Sequence, residues 1–218
     1  MTMEIKAVLF DVDGTLIDSE KIYNRCWRAA AKEFGCPLTA EHALALRSLD
    51  RRLAAQRFLE WFGDPALYPA VRRRRTELMA KETEKEPPRA KPGVEVLMER
   101  LEKRGIAAAA VTASPEKRAR ESLDAVGIGR FVPIILSTER VERGKPFPDV
   151  YLFACAALGL RPGECLAVED SPNGLKSAHD AGCRTVMIPD LTPYGEDVGE
   201  IADLHFESLE DLARSGIF

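Results

Sequence analysis

No apolar run in this 218-residue chain reaches membrane length, which excludes a hydrophobic membrane-spanning helix. Cysteine is scarce and odd in number: Cys26, Cys36, Cys155, Cys165 and Cys183, with no Cys-x-x-Cys pair. That usage fits a reducing cytosol better than a disulfide framework or a zinc site, with cysteines acting as small hydrophobes in the core. Histidine is scarcer still, and His42, His179 and His205 show no metal-ligand spacing, so each is read as a surface or structurally satisfied residue. Positive charge has no excess: 31 Lys and Arg face 35 Asp and Glu, for a net charge of −4. Neither nucleic acid nor an anionic membrane is therefore expected as a partner. Repeats and low-complexity segments are absent as well. No export signal is expected at the N-terminus, because Asp11 and Asp13 interrupt the apolar run and no small-residue cleavage site follows. The expectation is a cytoplasmic monomer.

What the chain does have is ordinary globular material, 45% hydrophobic and 30% charged, at a length that buries a sizeable core. It is organised around Ala7-Val8-Leu9-Phe10-Asp11-Val12-Asp13-Gly14-Thr15-Leu16. An apolar run flanked by turn signals reads as a buried strand, here Ile5 to Phe10, and two carboxylates follow it at i and i+2. In open parallel sheets, ligands bind at the carboxyl ends of strands.

From about Asp18 the period becomes helical. Apolar Ile22, Cys26, Ala29, Ala30 and Phe34 recur at three- and four-residue steps, and Gly35-Cys36-Pro37 stops them. A second helical region is expected over Leu44 to Phe62 and a third over about Ala66 to Lys85. The third carries Arg72-Arg73-Arg74-Arg75, for which a solvated helix face is preferred to a phosphate-binding patch. After Pro87-Pro88 and Lys91-Pro92-Gly93, strands alternate with helices to the end of the chain. This pattern predicts an α/β protein with a parallel, Rossmann-like sheet covered on both faces. The expected division is a core of residues 1–16 and 91–218 with an all-helical insert, 17–90, placed as a lid on two linkers.

Four polar clusters suggest chemistry. In Asp11-x-Asp13, one carboxylate can attack directly and the other can donate and then accept a proton. In Thr112-Ala113-Ser114-Pro115-Glu116, a strand ends at a hydroxyl and a helix begins, with Ser114 expected at N-cap and Pro115 at N1, where free N–H groups favour an anion. In Gly144-Lys145-Pro146-Phe147-Pro148-Asp149, a stiff loop fixes an ammonium that can neutralise a carboxylate and a phosphoryl oxygen. In Val168-Glu169-Asp170-Ser171-Pro172-Asn173-Gly174, paired carboxylates again end a strand, and oxygen donors of this kind suit Mg²⁺. Each cluster alone has an ordinary structural explanation. Together they would place a nucleophile, an acid/base, anion donors, a cation and metal ligands in one cleft.

Asp11-Val12-Asp13-Gly14-Thr15, Thr112, Lys145-Pro146 and Glu169-Asp170-Ser171 resemble the four motifs of the haloacid dehalogenase superfamily, and the helical insert resembles its C1 cap. Lys145-Pro146-x-Pro148-Asp149-x-Tyr151 and the Glu169 segment are similar to the branch of β-phosphoglucomutases and small-metabolite phosphatases. The resemblance implies Asp11 as nucleophile and Mg²⁺ ligand, and Asp13 as acid/base and carbonyl ligand. It implies that Thr112 and the Ala113 N–H hold the phosphoryl group, that Lys145 stabilises an aspartyl-phosphate, and that Asp170 ligates Mg²⁺ with Glu169 direct or through water. Ser114, Tyr23, Arg47 and Arg51 are added by position as substrate-facing candidates. The resulting expectation is an Mg²⁺-dependent phosphatase of a small phosphorylated metabolite, with a phosphosugar mutase as the alternative. Tyr23 stands where the mutase-like branch tends to have His, which disfavours the mutase. Asp13 and Asp170 argue against a dehalogenase. No lysine of the insert sits in a context suggesting a phosphonate hydrolase. The presence of Asp11, Asp13 and Lys145 argues against a non-catalytic binding protein.

Overall fold

The computed structural model describes residues 4–218, so the first three residues of the expected core segment lie outside the described residues. The sheet has six parallel strands: β1 Ala7–Phe10, β2 Ala107–Thr112, β3 Ile134–Ser137, β4 Cys165–Glu169, β5 Arg184–Met187 and β6 Leu204–His205, in the order β3-β2-β1-β4-β5-β6. β1 is central. Phe10 pairs with Ala110 of β2 on one side and Val168 of β4 on the other. After β1 the chain lays down β2 and β3 to one side, then β4 to β6 to the other, so the carboxyl end of β1 lies at the topological switch point.

Every residue of β1 is fully buried, because its side chains alternate into two cores. Val8 and Phe10 join Leu97 and Leu101 of α5 (Val94–Arg104) and Leu123 of α6 (Glu116–Ala125). Ala7 and Leu9 join Tyr151 and Ala154 of α7 (Asp149–Ala157) and Ala178 of α8 (Pro172–Asp180). Short helices Glu196–Gly199 (α9) and Leu209–Arg214 (α10) complete the chain, with Ser208 capping α10 as expected. All five cysteines are free and buried.

Between β1 and α5 lie α1 Glu20–Glu33, α2 Ala40–Ala45, α3 Arg51–Phe62 and α4 Leu67–Lys85. They enclose a hydrophobic core of their own, in which Trp27 and Ala30 of α1 meet Phe58 of α3 and Tyr68 and Val71 of α4. The chain enters and leaves this unit side by side. Asp18 N–H donates to Arg89 O at 2.9 Å and Lys91 N–H to Leu16 O at 2.9 Å.

The helical region expected over Leu44 to Phe62 is two helices. Ser48 adopts φ 54°, and Asp50 starts α3 afresh by accepting the Arg52 N–H at 2.8 Å and the Leu53 N–H at 3.4 Å. Asp50 also ties this break to the Lys145 loop. Its own N–H donates to Lys145 O at 2.7 Å, and its carboxylate accepts the Gly144 N–H at 2.9 Å.

Candidate active site

The carboxyl ends of β1, β2 and β4 deliver Asp11, Thr112 and Glu169-Asp170 to one place, because the three strands are neighbours in register. Lys145, from the loop before α7, reaches the same point and is completely buried. Its ammonium uses all three protons: to Asp11 Oδ1 at 2.6 Å, to Glu169 Oε1 at 2.7 Å and to Val111 O at 2.9 Å. Burial alone would lower its pKa, but the two carboxylates outweigh burial and raise it. The Tyr151 hydroxyl donates to the same Glu169 oxygen at 2.5 Å.

Burial raises the Asp11 carboxyl well above the ordinary carboxylate range; Lys145 opposes the rise, and Glu169 and Asp170 add to it. Asp170 is pushed up to about 7, again mainly by burial, with Arg47 working against it. Asp11, Glu169 and Asp170 each present an oxygen within 4.8 Å of the others. One oxygen on each, Asp11 Oδ2, Glu169 Oε2 and Asp170 Oδ1, is sealed from solvent without a hydrogen-bond partner. Three buried carboxylates with orphaned oxygens, all hard donors, fit a small divalent cation such as Mg²⁺.

Two glycines keep this cradle open. A Cβ on Gly14, at φ 92°, would lie 2.3 Å from Asp170 Oδ2. One on Gly174 would lie 1.9 Å from Glu169 Oε2. Gly174 is held there by the Ser171 hydroxyl, which caps α8 by accepting its N–H at 3.1 Å.

Asp13 stands just outside the buried cluster, its two oxygens accepting from the Ser19 hydroxyl at 2.7 Å and the Ser114 hydroxyl at 2.8 Å. Ser114 is therefore not the helix cap expected of it. Pro115 is the N-cap of α6 and makes no side-chain bond, which leaves the serine for Asp13. The Ser114 N–H donates to Thr112 Oγ1 at 3.0 Å, and Ala113 lies between them on the wall of the cleft.

The cleft opens into a cavity of about 370 Å³ between the sheet ends and the helical unit. Tyr23, Arg47 and Arg51 all line it. Arg47, expected to face substrate, is already engaged: Nη1 donates to Asp170 Oδ2 at 2.8 Å, and Nη2 donates to Asp170 O at 3.2 Å and Thr192 Oγ1 at 2.5 Å. Arg51 is about half exposed, with Glu139 at 4.0 Å. Tyr23 is buried, and its phenol is pushed up to about 12, chiefly by burial and then by the charge of Asp13.

The arginine run is a solvated face only in part. Arg74 faces out, paired with Glu33 at 2.6 Å and Glu77 at 2.8 Å, but Arg75 is buried and lines the cavity. Sequence reasoning also gave no role to Ser19 or Tyr151. The available signal for Arg75 was its spacing, four residues after Val71 and four before Met79, both on the buried stripe of α4.

The family model described as haloacid dehalogenase-like hydrolase matches residues 5–182, more than half of the chain. The chain belongs to the haloacid dehalogenase-like hydrolases. It is 37% identical to hexitol phosphatase A of Escherichia coli over 96% of its own length and 94% of that protein. It is 28% identical to a phosphorylated carbohydrates phosphatase of Thermotoga maritima, covering 84% of each. Among solved structures it resembles CbbY from Rhodobacter sphaeroides in complex with phosphate, with a TM-score of 0.76, 26% identity and coverage of 95% and 96%. Within the haloacid dehalogenase-like hydrolases the chain is an enzyme of the phosphatase type, a phosphoric monoester hydrolase. Among its described residues no helix is long and apolar enough to cross a membrane.

Proposed function

We propose that this haloacid dehalogenase-like enzyme hydrolyses the phosphomonoester of a small phosphorylated metabolite, with Mg²⁺, through an aspartyl-phosphate on Asp11. The observation that carries the reading is the meeting of three buried carboxylates at the strand ends, Asp11, Glu169 and Asp170, each with one oxygen left without a partner, beside a fully buried lysine that pairs with the first two. The phosphatase names of the relatives, two of them specific to hexitol and carbohydrate phosphates, support a phosphorylated sugar or sugar alcohol as the class.

Asp11, Asp170 and the Asp13 backbone carbonyl would hold the cation, with Glu169 ligating directly or through water. Bound there, Mg²⁺ supplies charge neutralisation between the carboxylate nucleophile and the phosphoryl oxygens. In the first step an Asp11 oxygen forms a bond to phosphorus. The bond from phosphorus to the leaving oxygen breaks, and Asp13 gives that oxygen a proton. In the second step Asp13, now a carboxylate, takes a proton from water as the water oxygen bonds to phosphorus. The Asp11–phosphorus bond breaks and returns the carboxylate. Lys145 donates to Asp11 Oδ1 and so fixes the orientation of the carboxylate, of which one oxygen would face the cation and the other phosphorus. Thr112 and the Ala113 N–H would receive the phosphoryl oxygens, while the Ser19 and Ser114 hydroxyls orient Asp13. The helical unit, residues 17–90, would act as the cap that covers the cleft and excludes water.

The test is phosphate release from a panel of sugar and sugar-alcohol phosphates. EDTA should abolish turnover and Mg²⁺ restore it, and a folded Asp11→Asn protein should lose nearly all of it. Full turnover in EDTA removes the cation from the scheme, and near-normal kcat in Asp11→Asn removes the nucleophile.

A further inference from the structure

In the part of the cavity walled by Tyr23 and Trp27, three arginines collect without an ion-pair partner among the described residues. Arg75 and Arg72 come from α4 and Arg118 from α6, and all three line the cavity. The Arg75 guanidinium lies 5.1 Å from the Tyr23 ring centre and 4.8 Å from that of Trp27, while Arg118 lies 5.1 Å from the same Tyr23 ring. Arg75 is 8% exposed, and its Nε is sealed from solvent with no hydrogen-bond partner. Within the run Arg72–Arg75, the ion pairs among the described residues all belong to Arg74. Burial lowers the Arg75 pKa, Tyr23 opposes the fall, and the charges of Arg118 and Arg72 add to it, so both of these arginines repel Arg75.

The carboxylates that share the cavity do not relieve this. Asp13 is taken up by two serine hydroxyls and Asp11 by Lys145, and the charges that act on the third, Glu20, are those of Asp170, Arg47, Asp13 and Asp11 and not of these arginines. Aromatic faces offset part of the cost of a desolvated guanidinium. They do not replace the hydrogen bonds that a planar, five-donor cation makes with a carboxylate or phosphate. A buried charge left unpaired and facing like charges is costly to keep, and a cavity wall is where a ligand can supply the missing partner.

We propose that Arg75, with Arg72 and Arg118, forms a second anion subsite, so that the substrate is a phosphomonoester whose leaving group carries its own carboxylate or phosphate. The inference rests on the phosphatase reading of the Asp11 end, and it adds what the other end of the substrate must be. It would set this chain apart from its hexitol phosphatase relative, whose named substrate class has an uncharged tail.

Three probes share a six-carbon frame and a 6-phosphate: glucitol 6-phosphate with a neutral tail, 6-phosphogluconate with a carboxylate, and fructose 1,6-bisphosphate with a phosphate. At least one of the charged-tail compounds should exceed glucitol 6-phosphate at least tenfold in kcat/KM, mainly through KM. Which of the two does so assigns the anion. Arg75→Gln should erase most of that preference. Arg118→Gln, at a half-buried site less prone to unfold the protein, should reduce it in the same direction. Binding of the same compounds to the metal-free wild-type protein, followed by tryptophan fluorescence with Trp27 beside the subsite, is read separately. If no probe is hydrolysed yet a charged-tail compound binds at least tenfold tighter than glucitol 6-phosphate, the subsite stands and the phosphatase reading falls. The proposal is overturned if glucitol 6-phosphate matches or beats both charged compounds in turnover and in binding. It is equally overturned if the preference survives in both variants.

Discussion

Replacing Lys145 with Met tests the centre of the site through stability as well as turnover. The ammonium is fully buried and satisfies two buried carboxylates and a backbone carbonyl at 2.6 to 2.9 Å. Methionine matches the stem but removes every donor. Asp11 and Glu169 then face each other in the core with only the Tyr151 hydroxyl to help. Breaking a buried pair from one side costs about 3–5 kcal/mol, because a charge is left uncompensated. For a chain of this size that is a fall in Tm of roughly 6–20 °C. The comparison is Lys117→Met, which removes an exposed partner of Glu121 at 3.9 Å and should cost under about 1 kcal/mol. Urea and thermal unfolding in EDTA keep a bound cation from standing in for the lysine. The double variant Lys145→Met/Glu169→Gln should recover part of the loss, since one stranded charge is gone and Tyr151 can still donate to the amide oxygen. A single variant no less stable than Lys117→Met would refute the reasoning. So would a double variant less stable than the single.

Two further outcomes follow from the same geometry. Gly174→Ala in the first turn of α8 should destabilise by about 1–3 kcal/mol instead of giving the usual helical gain, because the new methyl meets the pinned Glu169 carboxylate. It should also raise the Mg²⁺ concentration for half-activation by about tenfold or more, and a stabilised variant with unchanged Mg²⁺ response would contradict the account of the cradle. With β-glucose 1-phosphate, Mg²⁺ and a bisphosphate primer, any turnover should release phosphate and not glucose 6-phosphate. The phenol of Tyr23, raised to about 12, keeps its proton throughout the neutral range and cannot serve as a relay. Its pKa lies above the assay range, so Tyr23→Phe should leave the shape of the pH–rate profile between pH 6 and 9 unchanged. Dominant formation of glucose 6-phosphate would make the enzyme a mutase.

The strand ends were readable because local sequence determines them. Apolar runs such as Ala7–Phe10 and Cys165–Val168 bury themselves on both faces, and the acids that follow mark where burial stops. The sheet's parallel character followed from the alternation of elements after Pro92. The break between α2 and α3 was not readable, because its cause lies 94 residues away: Asp50 is fixed by the backbone of Gly144 and Lys145. Ser114 was misread for a similar reason. Ser-Pro-Glu is a good helix start, but Asp13, 101 residues earlier, claims the hydroxyl. Arg75 appeared to belong to a solvated run because the aromatic rings that receive it are supplied by α1.

The bonds from Asp50 have a consequence for timing. The helical unit grips the Lys145 loop directly through Asp50, and again through Arg52, which donates to Glu142 O. A swing of the helices away from the sheet must either snap these bonds or drag the loop along with it. Dragging the loop withdraws the ammonium from Asp11 at the moment the cleft floods. Snapping the bonds charges each opening an activation barrier. In the first case the helices and the lysine act as an interlock that keeps the ammonium on Asp11 only while the entrance is shut; in the second the lysine stays in place and the cost falls on opening alone.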